Sequence, residues 1–296
     1  MPAPSLKPAR YALEAGLARL AFRLFGILGP DRASGLGGWL GRTIGPRLAL
    51  HERATARLRR ALPELDEPAV AAALHGMWDN LGRTFAEYPH LAALSPGGSA
   101  DRTEVVGAEQ IERLREAGRG GILFSAHFGN WELLSPTAAS HGIPLTLVYR
   151  EANNKAVEAL IQKARRRADP GRHLRKGAAG ARQLMAALSQ GEWLAMLIDQ
   201  KLNDGLPVPF FGRPAMTAPA LARLALRFRC PVVPARVERL GGAHFRITAF
   251  PPLELPDSGD VQADTLALMA QVNAVLEGWI RERPDHWFWV HNRWPD

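Results

Sequence analysis

Gly121-Ile-Leu-Phe-Ser-Ala-His-Phe-Gly-Asn-Trp-Glu132 is the stretch on which the reading of this chain turns. Its apolar run ends at Ala126, and a helix is expected to begin near Asn130, whose side chain can cap it. His127 then stands just past the carboxyl end of a buried strand, where open α/β sheets place their ligands. Glu132 falls in the first helical turn, and the bend around Gly129 is expected to carry it back to His127. An imidazole oriented by a carboxylate has what a general base needs, because the carboxylate fixes the tautomer and stabilises the cation formed on proton transfer. Backbone N–H groups at the same helix start are expected to receive a developing oxyanion.

Outward from this stretch the chain alternates. Strands are expected over residues 103–106, 121–126, 145–149, 193–198, 232–238 and 245–249, with helices over 111–116, 130–139, 155–168, 178–189 and 218–227. That order predicts an α/β fold, a mixed and mostly parallel sheet flanked by helices. A last amphipathic helix is expected over 261–281. Before the alternation lies a helical, basic segment, so the chain divides into residues 1–100, membrane-associating, and 101–296, the α/β domain. In the first part, residues 11–28 carry Leu13, Leu17, Leu20, Leu24 and Leu28 at three- and four-residue steps, with Arg19 and Arg23 on the remaining face. Such a helix suits either a bilayer interface or the protein's own core. The glycine-rich residues 29–45 follow, and a helical region over 48–88 is interrupted by Pro63 and Pro68.

The charge is unevenly placed. The 296 residues carry 37 Lys and Arg against 29 Asp and Glu, and the first sixty hold 11 basic against 3 acidic residues, which accounts for the whole net charge of +8. The composition, 47% hydrophobic and 22% charged, excludes a disordered chain. A single cysteine, Cys230, excludes an internal disulfide and a multi-cysteine metal cage. No apolar run of transmembrane length and no secretory leader is read. A nucleic-acid partner is not expected, since no recognised motif accompanies the basic surplus.

Gly-x-Ser-x-Gly and His-Glu-x-x-His are both missing from the sequence, so neither a serine nucleophile nor a zinc helix accompanies His127. A base without a protein nucleophile implies that the nucleophile arrives with the substrate, as when a substrate hydroxyl attacks an activated acyl group.

Several further motifs stand in order with the first: Tyr149-Arg-Glu151, Ile198-Asp-Gln200, Val208-Pro-Phe-Phe-Gly212 with Thr217, Val233-Pro234, and Trp287-Phe-Trp-Val-His291. In these the chain resembles, over nearly its whole length, the bacterial lipid A biosynthesis acyltransferases (the late lauroyl and myristoyl transferases), within the lysophospholipid acyltransferase-like superfamily. The resemblance implies an O-acyltransferase that moves a fatty acyl chain from acyl carrier protein, or from acyl-CoA, to a hydroxyl of a glycolipid. It implies His127 as the base with Glu132 its partner, no metal or prosthetic cofactor, and a place on the cytoplasmic side of the inner membrane. Glu14, Arg19 and Arg23 interrupt the first helix, which departs from the family's hydrophobic membrane helix and favours peripheral or monotopic attachment. Phospholipid or aminolipid acylation, and a non-catalytic membrane-bound lipid carrier, are the alternative readings.

The remaining motif residues carry two readings each. Asn130 is a substrate-binding candidate as well as a cap. Arg150 holds a phosphate or pairs with Glu151. Asp199 and Gln200 close a strand at the ligand-binding edge and orient the acceptor or stabilise the fold, with the site role preferred. Phe211, in a Pro-rich loop, lines an acyl channel or belongs to the core, and Thr217 is a further substrate-binding candidate. Eight Lys and Arg lie between Lys163 and Arg182. Arg166 is assigned to the acceptor, Arg172, Arg175 and Lys176 to the carrier protein, and a solvated helix face is the other reading. Trp287, Trp289 and Trp294 suit packing or interfacial anchoring.

Overall fold

The computed structural model describes residues 7–116, 118–149, 151–175 and 177–294, so Arg150 and Lys176 lie outside the described residues. The chain opens with three long helices, α1 (Lys7–Ile44), α2 (Ala49–Ala61) and α3 (Glu67–Glu87), then a single turn, α4 (Leu91–Leu94). The alternating part follows: β1 (Thr103–Val106), α5 (Ala108–Glu116), β2 (Ile122–Ser125), α6 (Leu134–Ser140), β3 (Leu145–Tyr149), α7 (Lys155–Ala168), β4 (Arg172–Arg175), α8 (Ala178–Ser189) and β5 (Trp193–Leu197). A hairpin, β6 (Lys201–Phe210) and β7 (Arg213–Thr217), precedes α9 (Ala220–Phe228), β8 (Val232–Gly241), β9 (His244–Ala249) and α10 (Val261–Glu282).

Seven strands form one sheet in the order β1-β9-β8-β2-β5-β3-β4. Every neighbouring pair in it is parallel except β8 with β9. The mixed, mostly parallel sheet flanked by helices is therefore the expected one. β2 sits between β5 and β8 with all four residues buried, which is why it reads as an unbroken apolar run without alternation. Register matters most between β2 and β5. Ser125 lies opposite Leu197, and Ile198 donates its N–H to the Ser125 carbonyl at 3.1 Å. Two residues further along each chain come His127 and Asp199.

Two segments differ from the sequence reading. Gly29 ends the first helical stretch just after Leu28, where the sequence places it, but the glycines beyond it lie within a second helical stretch. α1 continues to Ile44 with one break at Gly29 (φ 74°), followed by Pro30. The later glycines let α1 lie directly on α3. A Cβ at Gly41 would stand 2.0 Å from the Trp78 carbonyl oxygen, so only glycine permits that approach. The Pro-rich stretch around Phe211 is a tight hairpin rather than a loop. Phe211 (φ 51°) and Gly212 (φ 67°) are its two central residues, both in the left-handed region that such a turn requires.

Candidate active site

His127 and Asp199 meet at the carboxyl edge of the sheet. The His127 Nδ1 lies 2.8 Å from Asp199 Oδ1, and the His127 backbone N–H donates to Asp199 Oδ2 at 2.9 Å. Trp287 Nε1 donates to the same Oδ2 at 2.9 Å. Asp199 is fully buried, and burial alone would raise its pKa. The neighbouring His127 and these hydrogen bonds outweigh burial and hold the carboxyl well below the usual carboxylate range. With Nδ1 committed, Nε2 is the nitrogen left to exchange a proton. Trp131 and His291 wall the imidazole edge-on, at ring-centroid distances of 4.9 and 4.8 Å. Burial, then the neighbouring His127, depresses His291 to about 4, so it stays neutral near pH 7.

Glu132, expected to orient His127, is occupied elsewhere. Arg165 on α7 grips it through two hydrogen bonds of 2.7 Å, Nε to Oε2 and NH2 to Oε1. Tyr88 Oη and Trp131 Nε1 donate to Oε1 at 2.9 and 3.0 Å. Burial pushes the Glu132 carboxyl up, but the Arg165 charge and these donors together bring it below its ordinary value. The carboxylate in contact with His127 is thus Asp199, while Glu132 bonds Trp131, whose ring packs against the imidazole. The physical reason is direction. The side chain leaves the short 3₁₀ turn of Trp131–Leu133 toward Tyr88, just past the end of α3, and toward the half-buried Arg165 guanidinium of α7.

The turn between β2 and that 3₁₀ helix is bolted from three sides. Asn130 caps it by accepting the Glu132 N–H at 3.2 Å, as expected, while its own Nδ2 donates to Glu87 at 2.8 Å. Glu87 pairs with Arg239 of β8, and Arg239 Nε donates to Asn80, whose Nδ2 in turn donates to the Gly129 carbonyl. Gly129 (φ 56°) passes so close to β8 that a Cβ would stand 2.2 Å from the Val237 carbonyl oxygen. The amide groups of His127, Phe128, Gly129, Glu132 and Leu133 all have acceptors already: Asp199, Ala126, His286 and, for the last two, Asn130. Those five are therefore not free to receive an oxyanion as the sequence reading expected.

A profile of the family described as "Bacterial lipid A biosynthesis acyltransferase" matches residues 3–296. The chain belongs to that family. It is 24% identical over 295 residues to a "Lipid A biosynthesis acyltransferase" of Haemophilus influenzae, covering 96% of this chain and 88% of that protein. It is also 31% identical over 199 residues to the "Lipid A biosynthesis lauroyltransferase" of Escherichia coli, covering 64% of this chain and 61% of that one.

Other expected site residues of this acyltransferase divide between surface and scaffold. Gln200 is exposed and lines a polar cleft of about 460 Å³ with Glu151, Asn153, Lys201, His291 and Asn292. Arg166 is exposed on α7, and the arginine of the basic run that enters the site is Arg165 beside it. Arg172 pairs with Glu192, and Arg175 with Glu151 at 2.8 Å. Asn130, Thr217 and Phe211, read as substrate-binding candidates, are buried and reach no open surface. Thr217 accepts from Arg293 at 2.8 Å, and Phe211 packs against Phe210, Trp289 and Trp294. Trp287, Trp289 and Trp294 are likewise buried, so of their two readings packing is the one observed. Cys230 is buried and free, its thiol pushed up by burial to about 11.

Between β3, β5, α6 and α7 lies an apolar pocket of about 70 Å³, walled by Trp131, Leu134, Leu147, Ala168, Ala195 and Met196. Glu132 and Arg165 stand at its polar side. Sequence reasoning missed Tyr88, Trp131 and Arg165 as site residues. Only Arg165 left a trace, at helical spacing from Ile161 and Ala168 on the buried face of α7.

Proposed function

We propose that this acyltransferase moves a fatty acyl chain from a thioester donor, acyl carrier protein or acyl-CoA, to a hydroxyl of a lipid A precursor, with His127 as the general base and Asp199 as its orienting carboxylate. The observation that carries the reading is the 2.8 Å contact of His127 Nδ1 with a buried, ionised Asp199, which leaves Nε2 as the proton acceptor. The acceptor hydroxyl gives its proton to Nε2 as its oxygen forms the new bond to the thioester carbonyl carbon. When the C–S bond breaks, the imidazolium returns that proton to the departing sulfur. Glu132 and Arg165 act as positioning residues, fixing Trp131 against the imidazole. The apolar pocket beside Trp131 takes the first methylenes of the acyl chain, and the polar cleft at Gln200 and Lys201 takes part of the acceptor head group. No cofactor is assigned a step.

A membrane surface is part of the proposal. Among the described residues, Leu13, Leu17, Leu20, Leu24 and Ile27 of α1 are exposed at between 47 and 84%. No helix among the described residues is long and apolar enough to cross a membrane. An exposed apolar face interleaved with Arg19 and Arg23 supports attachment to an anionic leaflet, assigned here to the cytoplasmic side of the inner membrane. The test is transfer by purified full-length protein from an acyl carrier protein thioester to a lipid A precursor, read by mass spectrometry of the product. A folded wild-type protein that binds both substrates and makes no acylated product would replace the enzyme reading with that of a lipid carrier.

A further inference from the structure

Between α1 and α3, away from His127, runs a second apolar cleft of about 240 Å³. Its walls are Phe25, Leu40, Ile44, Leu48, Leu81 and Phe85, and its floor is Trp78 with the glycines that bring the two helices together. No charged side chain lines it. Ile44, Leu48 and Phe85 are 50, 42 and 52% exposed, an unusual exposure for large apolar groups in neighbouring positions.

We infer that this cleft holds an acyl chain already present on the acceptor lipid. The inference rests on the proposed reaction only in taking the acceptor to be a lipid. Three observations support that occupant. First, the cleft continues the exposed apolar face of α1, because Phe25 at one end is bracketed along the helix by exposed Leu24 and Ile27. Second, the other wall leads to the site. Phe85 stacks on Tyr88 with centroids 6.2 Å apart and an interplanar angle of 21°, and the Tyr88 hydroxyl donates to Glu132. Tyr88, buried behind Phe85, therefore links the wall of the cleft on its ring side to the Glu132 cluster at its hydroxyl. Third, exposed Arg19 and Arg23 lie along α1, exposed Arg47 in the turn just after it and exposed Arg53 on α2, and these charges complement an anionic head group. A chain seated here leaves the bilayer with its head group directed toward the polar cleft, so the acceptor is aligned by its tail before its hydroxyl meets His127.

The experiment uses the full-length protein on anionic vesicles and a lipid A precursor carrying a photoreactive diazirine in one acyl chain. After illumination, cross-links mapped by mass spectrometry are expected in residues 37–48 and 78–85. They should be lost in Ile44→Trp/Leu48→Trp, which fills the cleft. The same variant should raise the KM for acceptor about tenfold, the effect of losing roughly two buried methylenes, with kcat and vesicle binding little changed. Cross-links confined to residues 13–27 overturn the inference, as does vesicle binding that falls in step with KM. Protein–protein cross-links in place of lipid ones would make the cleft a contact between copies. Groove cross-links in a wild-type protein that forms no product would leave this inference standing and remove the proposed reaction instead.

Discussion

His127 and Asp199 are 72 residues apart in sequence, and their side chains are 2.8 Å apart. Parallel strand register makes that distance short, because β2 and β5 run abreast and each ends two residues before its functional side chain. The pair behaves as a unit, and its removal should read as one. Asp199→Asn, which keeps the shape and loses the charge, is expected to lower transfer by about a hundredfold or more, as is His127→Ala. The double variant should be little worse than either. Near-wild-type turnover in folded Asp199→Asn would remove Asp199 from the mechanism.

The fold was legible because each βα unit announces itself locally, by a short apolar run and then a period near 3.6. His127 was legible for the same reason, since a histidine directly after a buried strand has few other places to go. The carboxylate it contacts, Asp199, is not the Glu132 that sequence proximity favoured, because that contact is non-local. Nothing within residues 121–132 reports that β5 lies beside β2 or that Arg165 fills the space Glu132 enters. The glycines of α1 misled in another way. Gly29 punctuates as read, yet those after it serve a helix–helix contact whose other half, Trp78 and Gly82, lies about forty residues on.

Buried Glu132 and half-buried Arg165 form an ion pair whose loss should register first in stability. Removing one partner of a fully buried pair costs about 3–5 kcal/mol, and less here because the Arg165 side chain left behind is 21% exposed. Glu132→Ala should therefore lower Tm sharply, and Arg165→Met added to it should restore part of the loss. Differential scanning calorimetry beside single-turnover transfer separates the readings. Loss of transfer in Glu132→Ala at unchanged Tm would return Glu132 to a direct role with His127.

Two histidines near the site, buried His286 and half-buried His291, are held in neutral form. Burial depresses both His286 and His291 from 6.5 to about 4. The unfolded chain takes up protons below about pH 6.5 that the folded chain refuses, so their contribution is complete above that pH and is lost as the pH falls toward 4. Asp199 and Glu132, held below their ordinary values, lose their contributions only at lower pH still. Urea unfolding is expected to show stability declining already between pH 6.5 and 4, by about 3 kcal/mol for each histidine at most. His291→Gln should flatten that slope, and an unchanged slope would show that the histidine is not buried in solution.

The exposed face of α1 predicts a binding loss without unfolding. Leu17→Glu/Leu20→Glu/Leu24→Glu alters side chains that are 47 to 64% exposed, so Tm should move little while co-sedimentation with anionic vesicles drops at least about tenfold. Added salt should weaken the wild-type attachment only in part, since the apolar contribution is not screened. Deleting the helix is a different experiment. Asn154 donates to the Tyr11 carbonyl, His90 contacts the Phe25 carbonyl, and Phe22 packs on Tyr88, so truncation should also lower Tm. Unchanged vesicle binding in the triple variant would assign this face to another surface.

The pocket beside Trp131 should set which acyl chains are accepted. At about 70 Å³ it holds only the first methylenes, and Ala168 and Met196 are among the side chains that line it. One methylene of misfit in an apolar site is worth roughly 1–3 kcal/mol, or about 10–200-fold in selectivity. Ala168→Leu narrows the pocket and should shift products toward shorter chains, whereas Met196→Ala opens it and should admit longer ones. A competition among acyl donors of mixed length, with products resolved by mass spectrometry, reads both shifts at once. Both variants retain His127, Asp199 and the Glu132–Arg165 pair, so total turnover with the best-fitting donor should stay near that of the wild type. An unaltered product distribution in both would mean that the chain runs along another path.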